Sequence, residues 1–304
     1  MPRPAIPSPI LIALFGVLMG SMLDAGVKWL AASASVLTIM SWRFMFGAVY
    51  TGAAYYFAKR PTPTWEAIRF HTMRALIQVS AALLFFWGIT QLALAEATTL
   101  GFTASLMIAP FAQIILGEKM TRLSVIAAIV GFGGAAIALS SGADGAPAEG
   151  NRLLGAAATL VSAVLYALFM VLLRLRTRTE DSLTILAYSN VLAGIIIFPI
   201  GLAFTPFPSL VEIGFYALLA VVGVSVWWLF TIAYARAPAQ QLAPLEYTAL
   251  IWSAGLGYVF FQEAPRWPLY VGAAVIIAAC LIVAAESSFA TRRATKLPTS
   301  EILD

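Results

Sequence analysis

Residues 9–30 read PILIALFGVLMGSMLDAGVKWL. These 22 residues hold two charges, Asp24 and Lys28. As a helix rising 1.5 Å per residue the run extends about 33 Å, enough for a hydrocarbon core of about 30 Å. Arg3 ahead of it and the small residues Ala31–Ala34 behind it also fit a cleaved signal peptide. However, the apolar run is longer than a signal core of 7–15 residues, and Asp24 and Lys28 precede any such cleavage site. The stretch therefore reads as a first membrane span.

Nine further runs of this kind follow, about 36–57, 72–94, 97–117, 123–141, 152–173, 182–204, 211–235, 240–262 and 267–285. The connections are short. The longest is 142–151, rich in Gly, Ala, Asp and Pro. Composition agrees with lipid as the solvent: of 304 residues, 61% are hydrophobic and 11% charged, against about 25% charged in soluble domains. A net charge of +4 marks one membrane face rather than a nucleic-acid partner. Cys280 and His71 are the only cysteine and histidine, too few for a His/Cys metal site or a Cys–His dyad. No cofactor is expected.

With the N-terminus in the cytoplasm, inner segments hold fourteen Lys and Arg and outer loops two, Arg152 and Arg266. Lys28 and Arg43 lie inside spans. This asymmetry puts both termini in the cytoplasm. The fourteen include Arg69, Arg74, Arg174 and Arg176.

The chain also repeats. At an offset of 146, Leu37-Thr38-Ile39 meets Leu183-Thr184-Ile185 and Lys28 meets Arg174. At 142, Phe85-Phe86 meets Trp227-Trp228. Five spans per repeat is odd, so the second repeat enters the membrane from the opposite side. The expected fold is an all-α membrane protein of ten transmembrane helices in two inverted five-helix repeats: 8–141, a linker 142–151, 152–286 and a cytoplasmic tail 287–304. Such carriers bind solute between the repeats near mid-membrane.

Pro110 with Gly117-Glu118-Lys119, and Ala243-Pro244-Leu245-Glu246-Tyr247 with Phe261-Gln262-Glu263, carry a resemblance. Over about residues 8–286 the chain resembles the EamA family of the drug/metabolite transporter superfamily. Asp24, Lys28 and Arg43 are similar to a subgroup carrying cofactor-like metabolites such as S-adenosylmethionine or riboflavin. The histidine and tryptophan pattern of the family's aromatic amino-acid exporters has no clear counterpart. The resemblance implies a secondary transporter of a small organic metabolite in the cytoplasmic membrane, and no enzyme. Its partners are the bilayer and a small-molecule substrate, not nucleic acid, with a second copy of the chain as a candidate. A channel and a lipid-modifying membrane enzyme are the rival classes.

Charges within spans are the first candidates for function. Gly16, Gly20, Asp24 and Lys28 share one helix face. Asp24 either neutralises Lys28 or binds a cationic group or coupling proton. Arg43, about 10 Å into its helix, either pairs with Asp24 or holds a carboxylate or phosphate on the substrate. Its repeat equivalent is Ser189, beside Asn190. Glu246 follows Pro244 and is a gating, binding or structural carboxylate. Glu96 reads as solvated, Glu118 and Glu263 as helix-end structural and gating charges, and His71 as a solvated loop residue. Gln78, Phe85, Gln91, Thr99, Tyr166, Trp227, Gln241 and Tyr247 complete the candidate cavity. Gly131, Gly133 and Gly134 read as helix packing. Replacing Asp24 by Asn is expected to abolish pH-dependent transport. An unchanged rate and pH profile would remove Asp24 from coupling.

Overall fold

The computed structural model describes residues 8–117, 121–140, 143–144, 151–176, 180–234, 236, 242 and 245–296. They are nearly all helical. The helices are α1 (Pro9–Leu30), α2 (Val36–Phe57), α3 (Trp65–Gln91), α4 (Leu94–Gly101), α5 (Ala104–Leu116), α6 (Arg122–Leu139), α7 (Arg152–Arg176), α8 (Ser182–Phe204), α9 (Leu210–Tyr234), α10 (Ala249–Phe261) and α11 (Trp267–Lys296). Two two-residue strands, β1 (Ala143–Asp144) and β2 (Ala264–Pro265), pair antiparallel.

Seven stretches among the described residues are long and apolar enough to cross a bilayer: α1, α3, α4 with α5, α6, α7, α8 and most of α9. Helix α2 matches the expected limits but contains Trp42, Arg43 and three tyrosines, which lower its hydropathy. Helix α10 has only 13 residues, and the apolar part of α11 is Trp267–Ile282. The third span begins seven residues before the expected Thr72. Thr64 caps it by accepting from the Ala67 N–H at 3.2 Å, with Glu66 in the first turn.

The fourth expected span, 97–117, is two helices rather than one. At the junction the Phe102 N–H is shared between the Thr98 and Thr99 carbonyls, and the Thr103 N–H reaches Leu100 O at 3.1 Å. Thr98, Thr99 and Thr103 turn their hydroxyls onto their own helix, and Gly101 weakens it further. The same break recurs 145 residues later. The Thr248 N–H donates to Leu245 O at 3.0 Å, and its hydroxyl reaches the same carbonyl at 2.6 Å. The Thr103 hydroxyl meets Leu100 O at 2.6 Å in the same way. The following helices end alike, with left-handed backbone at Gly117 (φ 69°) and Gln262 (φ 55°). The two breaks touch, Phe102 on Tyr247 at 5.2 Å and nearly perpendicular.

The most extensive helix packing joins α2 to α8, α6 to α11, α3 to α7 and α1 to α9. Each pair takes one helix from each half. Under the repeat, α1, α2, α3 and α6 correspond to α7, α8, α9 and α11. The first two pairs are then their own images, and the last two exchange. Small and hydroxyl residues bring backbones close. Ser162 donates to Ala81 O at 2.7 Å and Ser41 to Ile197 O at 3.2 Å. A Cβ on Gly134 would lie 2.9 Å from the Gly272 carbonyl oxygen. Gly272→Val is therefore expected to destabilise the protein by about 1–3 kcal/mol, read as a lower melting temperature in detergent. A wild-type melt would show that α6 and α11 do not depend on this contact.

Candidate functional site

A cavity of about 130 Å³ lies between the halves, walled by α2, α3, α7, α8 and α9. Arg43 and Phe44 come from α2, Arg74 and Gln78 from α3, Phe169 from α7, Ser189 and Asn190 from α8, and Gly223 and Trp227 from α9. The lining continues to exposed Ser182, at the end of the bundle where α7 ends and α8 begins.

Arg74 is fully buried. It donates from Nη2 to the Ser189 hydroxyl and, at 3.5 Å, to Ile185 O. Its guanidinium lies over Phe169 at 4.9 Å. The Arg43 guanidinium carbon lies over Phe44 at 4.9 Å and Phe86 at 5.8 Å, and its Nη1 donates to the Met40 sulfur at 3.8 Å. Half-buried Asp24 feels the Arg43 charge but forms no ion pair with it among the described residues. Arg74 was expected at the inner membrane face. The charge escaped notice because α3 begins at Trp65, which places Arg74 nine residues inside a helix rather than at its start.

At the opposite end, where α1 finishes, lies a buried ionic junction. Lys28 does not pair with Asp24. It pairs with Glu263 and donates to Leu92 O at 2.5 Å. The other Glu263 oxygen accepts from the Leu94 N–H at 2.7 Å. Leu92 closes α3 and Leu94 opens α4, so the cation meets a helix C-terminus and the carboxylate a helix N-terminus. Glu96 is buried, not solvated, and takes two hydrogen bonds from Arg152, at 3.0 and 2.5 Å. Gln91 accepts from the Asn151 N–H at 2.9 Å. Thr99 is buried and bonded to its own helix.

His71 is buried rather than solvated. Its Nε2 lies 2.6 Å from Glu180, with its ring against Tyr188 at 4.8 Å. Glu180 also approaches Arg176 at 3.8 Å, and its charge is felt at Arg74. Beside it, Asp181 caps α8. Partial burial would raise its carboxyl pKa, but hydrogen bonds from Thr184 and the charge of Arg60 prevail and hold it below the usual range.

Of the other expected residues, Gln78 and Trp227 line the cavity. Phe85 packs edge-on against Phe86, one ring behind Arg43. Tyr166 meets Phe169 at 6.2 Å and feels the charge of Glu246, which is exposed. Tyr247 belongs to the helix break. Cys280 lies there too, and its thiol donates to Phe102 O at 3.7 Å. Gln241, Pro244 and Glu118 lie outside the described residues. Among the described residues no three His, Cys, Asp or Glu groups cluster as a metal site would need.

The family model of EamA-like transporters matches the chain twice, over residues 7–140 and 153–285. The S-adenosylmethionine uptake transporter of Rickettsia bellii is 23% identical over 89% of this chain and 91% of its own length. The riboflavin transporter of Brucella anthropi is 26% identical over 74% of this chain and 79% of its own. That of Rhizobium johnstonii is 26% identical over 89% and 90%. One solved crystal structure superposes with a TM-score of 0.61 at 18% identity, covering 90% of this chain and 96% of the other, and so shares the fold. With two matched halves, a nearly all-helical bundle and transporters among its relatives, this multi-pass membrane protein belongs to the EamA-like transporter family.

Proposed function

We propose that the chain is a secondary transporter moving a small organic metabolite across the cytoplasmic membrane by alternating access. The observation that carries this is the cavity, whose walls come from both halves and whose deepest polar groups lie well inside the helices. Carriers built from inverted repeats place their solute there. In this reading there are ten crossings, with short α10 and polar α2 completing the seven clear ones. The repeats are 8–141 and 152–286, joined by 142–151. Both termini and the tail 287–304 are cytoplasmic, and the Lys28–Glu263 junction lies on the outer side.

The junction then acts as the outer gate. It ties α1, the α3–α4 link and the end of α10 together, while the cavity reaches the inner end at Ser182. The conformation is inward-facing, with energy drawn from a proton gradient or solute exchange. The solute in this reading is amino-acid-, vitamin- or cofactor-like, and the relatives named for S-adenosylmethionine and riboflavin support the last two. The cavity is smaller than the roughly 300 Å³ of the smallest drug-sized pockets, so a solute of that size needs the halves to move apart.

Two outcomes test this. In proteoliposomes, S-adenosylmethionine, riboflavin, amino acids and nucleosides are screened by counterflow. Saturable exchange of at least one is expected, whereas an open-pore current or no flux would end the carrier reading. Glu263→Gln strands the buried Lys28 charge and is expected to cost about 3–5 kcal/mol. It should also raise outer-side labelling of Asn190→Cys, in a Cys280→Ala background, several-fold. Unchanged labelling would mean that the junction holds the fold without gating it.

A further inference from the structure

Two arginines and no carboxylate line the cavity. Both lie over aromatic rings, Arg43 over Phe44 and Phe86 and Arg74 over Phe169. A ring contact supplies no carbonyl or carboxylate acceptor, so the five donors on the edge of a guanidinium still need partners. Arg74 spends only Nη2, on Ser189 and Ile185, and Arg43 spends Nη1 on the Met40 sulfur at 3.8 Å. Arg74 Nε, Arg74 Nη1 and Arg43 Nε are buried without a hydrogen-bond partner in the protein, as is the acceptor Oε1 of Gln78. Buried polar groups are seldom left so.

The nearest acids do not fill this role. Asp24 acts on Arg43 and Glu180 on Arg74 through space only. Glu180 is engaged with His71 and Arg176. Arg74 is buried and Arg43 half-buried, and no carboxylate shares the cavity with them, so a cationic solute is disfavoured there. A neutral solute would meet the donors but bring no charge to match theirs. An oxyanion answers both, and its geometry matches an arginine edge.

We propose that the cavity is an oxyanion site, so that the transported solute carries a carboxylate or phosphate bound by the edges of Arg74 and Arg43. Gln78 accepts from an adjacent N–H or O–H of the solute, and Trp227 walls its organic part. This rests on the carrier reading for the word "transported", but the site itself is testable by binding alone. Arg74 is the residue whose role is new: a specificity group on α3, held in register by Ser189, the repeat equivalent of Arg43.

The test uses pairs of compounds that differ only in the charged group: nicotinate with nicotinamide for a carboxylate, and riboflavin 5′-phosphate with riboflavin for a phosphate. Acetate and inorganic phosphate serve as minimal anions. Ligand-induced stabilisation of the purified full chain is measured first, then counterflow in proteoliposomes. In at least one pair the acid is expected to act at a concentration at least tenfold lower than its neutral partner. Arg74→Gln should erase that gap. Arg74→Lys, which keeps the charge but loses the planar edge, should retain part of it. The wild-type comparison stands even if a variant fails to fold, which its ligand-free melt reveals. Equal or tighter binding of the neutral partners, no response to any of the four anions, or a gap that survives both Arg74→Gln and Arg43→Gln in folded protein would overturn the proposal. Saturable flux of neutral solutes without a charge preference would sink the oxyanion site and leave the carrier. Acid-selective binding without flux would do the reverse.

Discussion

Lys28 and Glu263 sit where water is scarce, and each is useful only because the other is there. A buried ammonium and carboxylate are costly apart and tolerable together when their remaining hydrogen-bonding positions are filled. Here they are filled by the backbone. The Leu92 carbonyl and the Leu94 N–H are the loose ends of two successive helices, which would otherwise go unsatisfied in lipid. The pair thus closes a gap in the chain and joins the first helix of one half to the end of α10 in the other. Glu96 with Arg152 repeats the arrangement nearby, again with one partner from each half. Two ion pairs thus link the halves at one end of the bundle. The other end, where His71, Glu180 and Arg176 form a looser and partly exposed set, is where the cavity reaches the surface.

Much of the architecture was legible in the sequence because lipid imposes simple rules. Apolar length marks a helix, and the offsets near 146 and 142 expose two halves. What stayed hidden depended on helix ends and on partners distant in sequence. Arg74 looked like a membrane-face charge because Thr64 and Glu66, the residues that start α3 early, lie among polar residues. His71 and Glu96 looked solvated because their partners, Glu180 and Arg152, are 109 and 56 residues away. The same holds for Lys28, whose nearest acid in sequence is not its partner in space. The break after Gly101 left a clue in its threonines, but hydropathy averages across it.

The symmetry is tightest in the frame and loosest in the cavity. The helix breaks match carbonyl for carbonyl at Thr103 and Thr248, and Ser35 and Asp181 cap α2 and α8 at equivalent positions. The cavity wall, by contrast, sets Arg43 opposite its own counterpart Ser189, which has become the anchor for Arg74. The halves share a frame and differ in the cavity wall, at Arg43 and Ser189.

The dominance of packing between halves has a consequence for how the protein is made. Helix α2 finds its main partner in α8, which emerges 146 residues later, and α3 finds α7. At roughly 5–20 residues per second, the first half spends on the order of ten seconds or more in the membrane without the surfaces it is shaped to meet. During that interval Arg43 and Arg74 have neither Ser189 nor Phe169 beside them. The insertion machinery must therefore shelter a half-finished bundle with two cations inside it, and the order of synthesis becomes part of the folding problem.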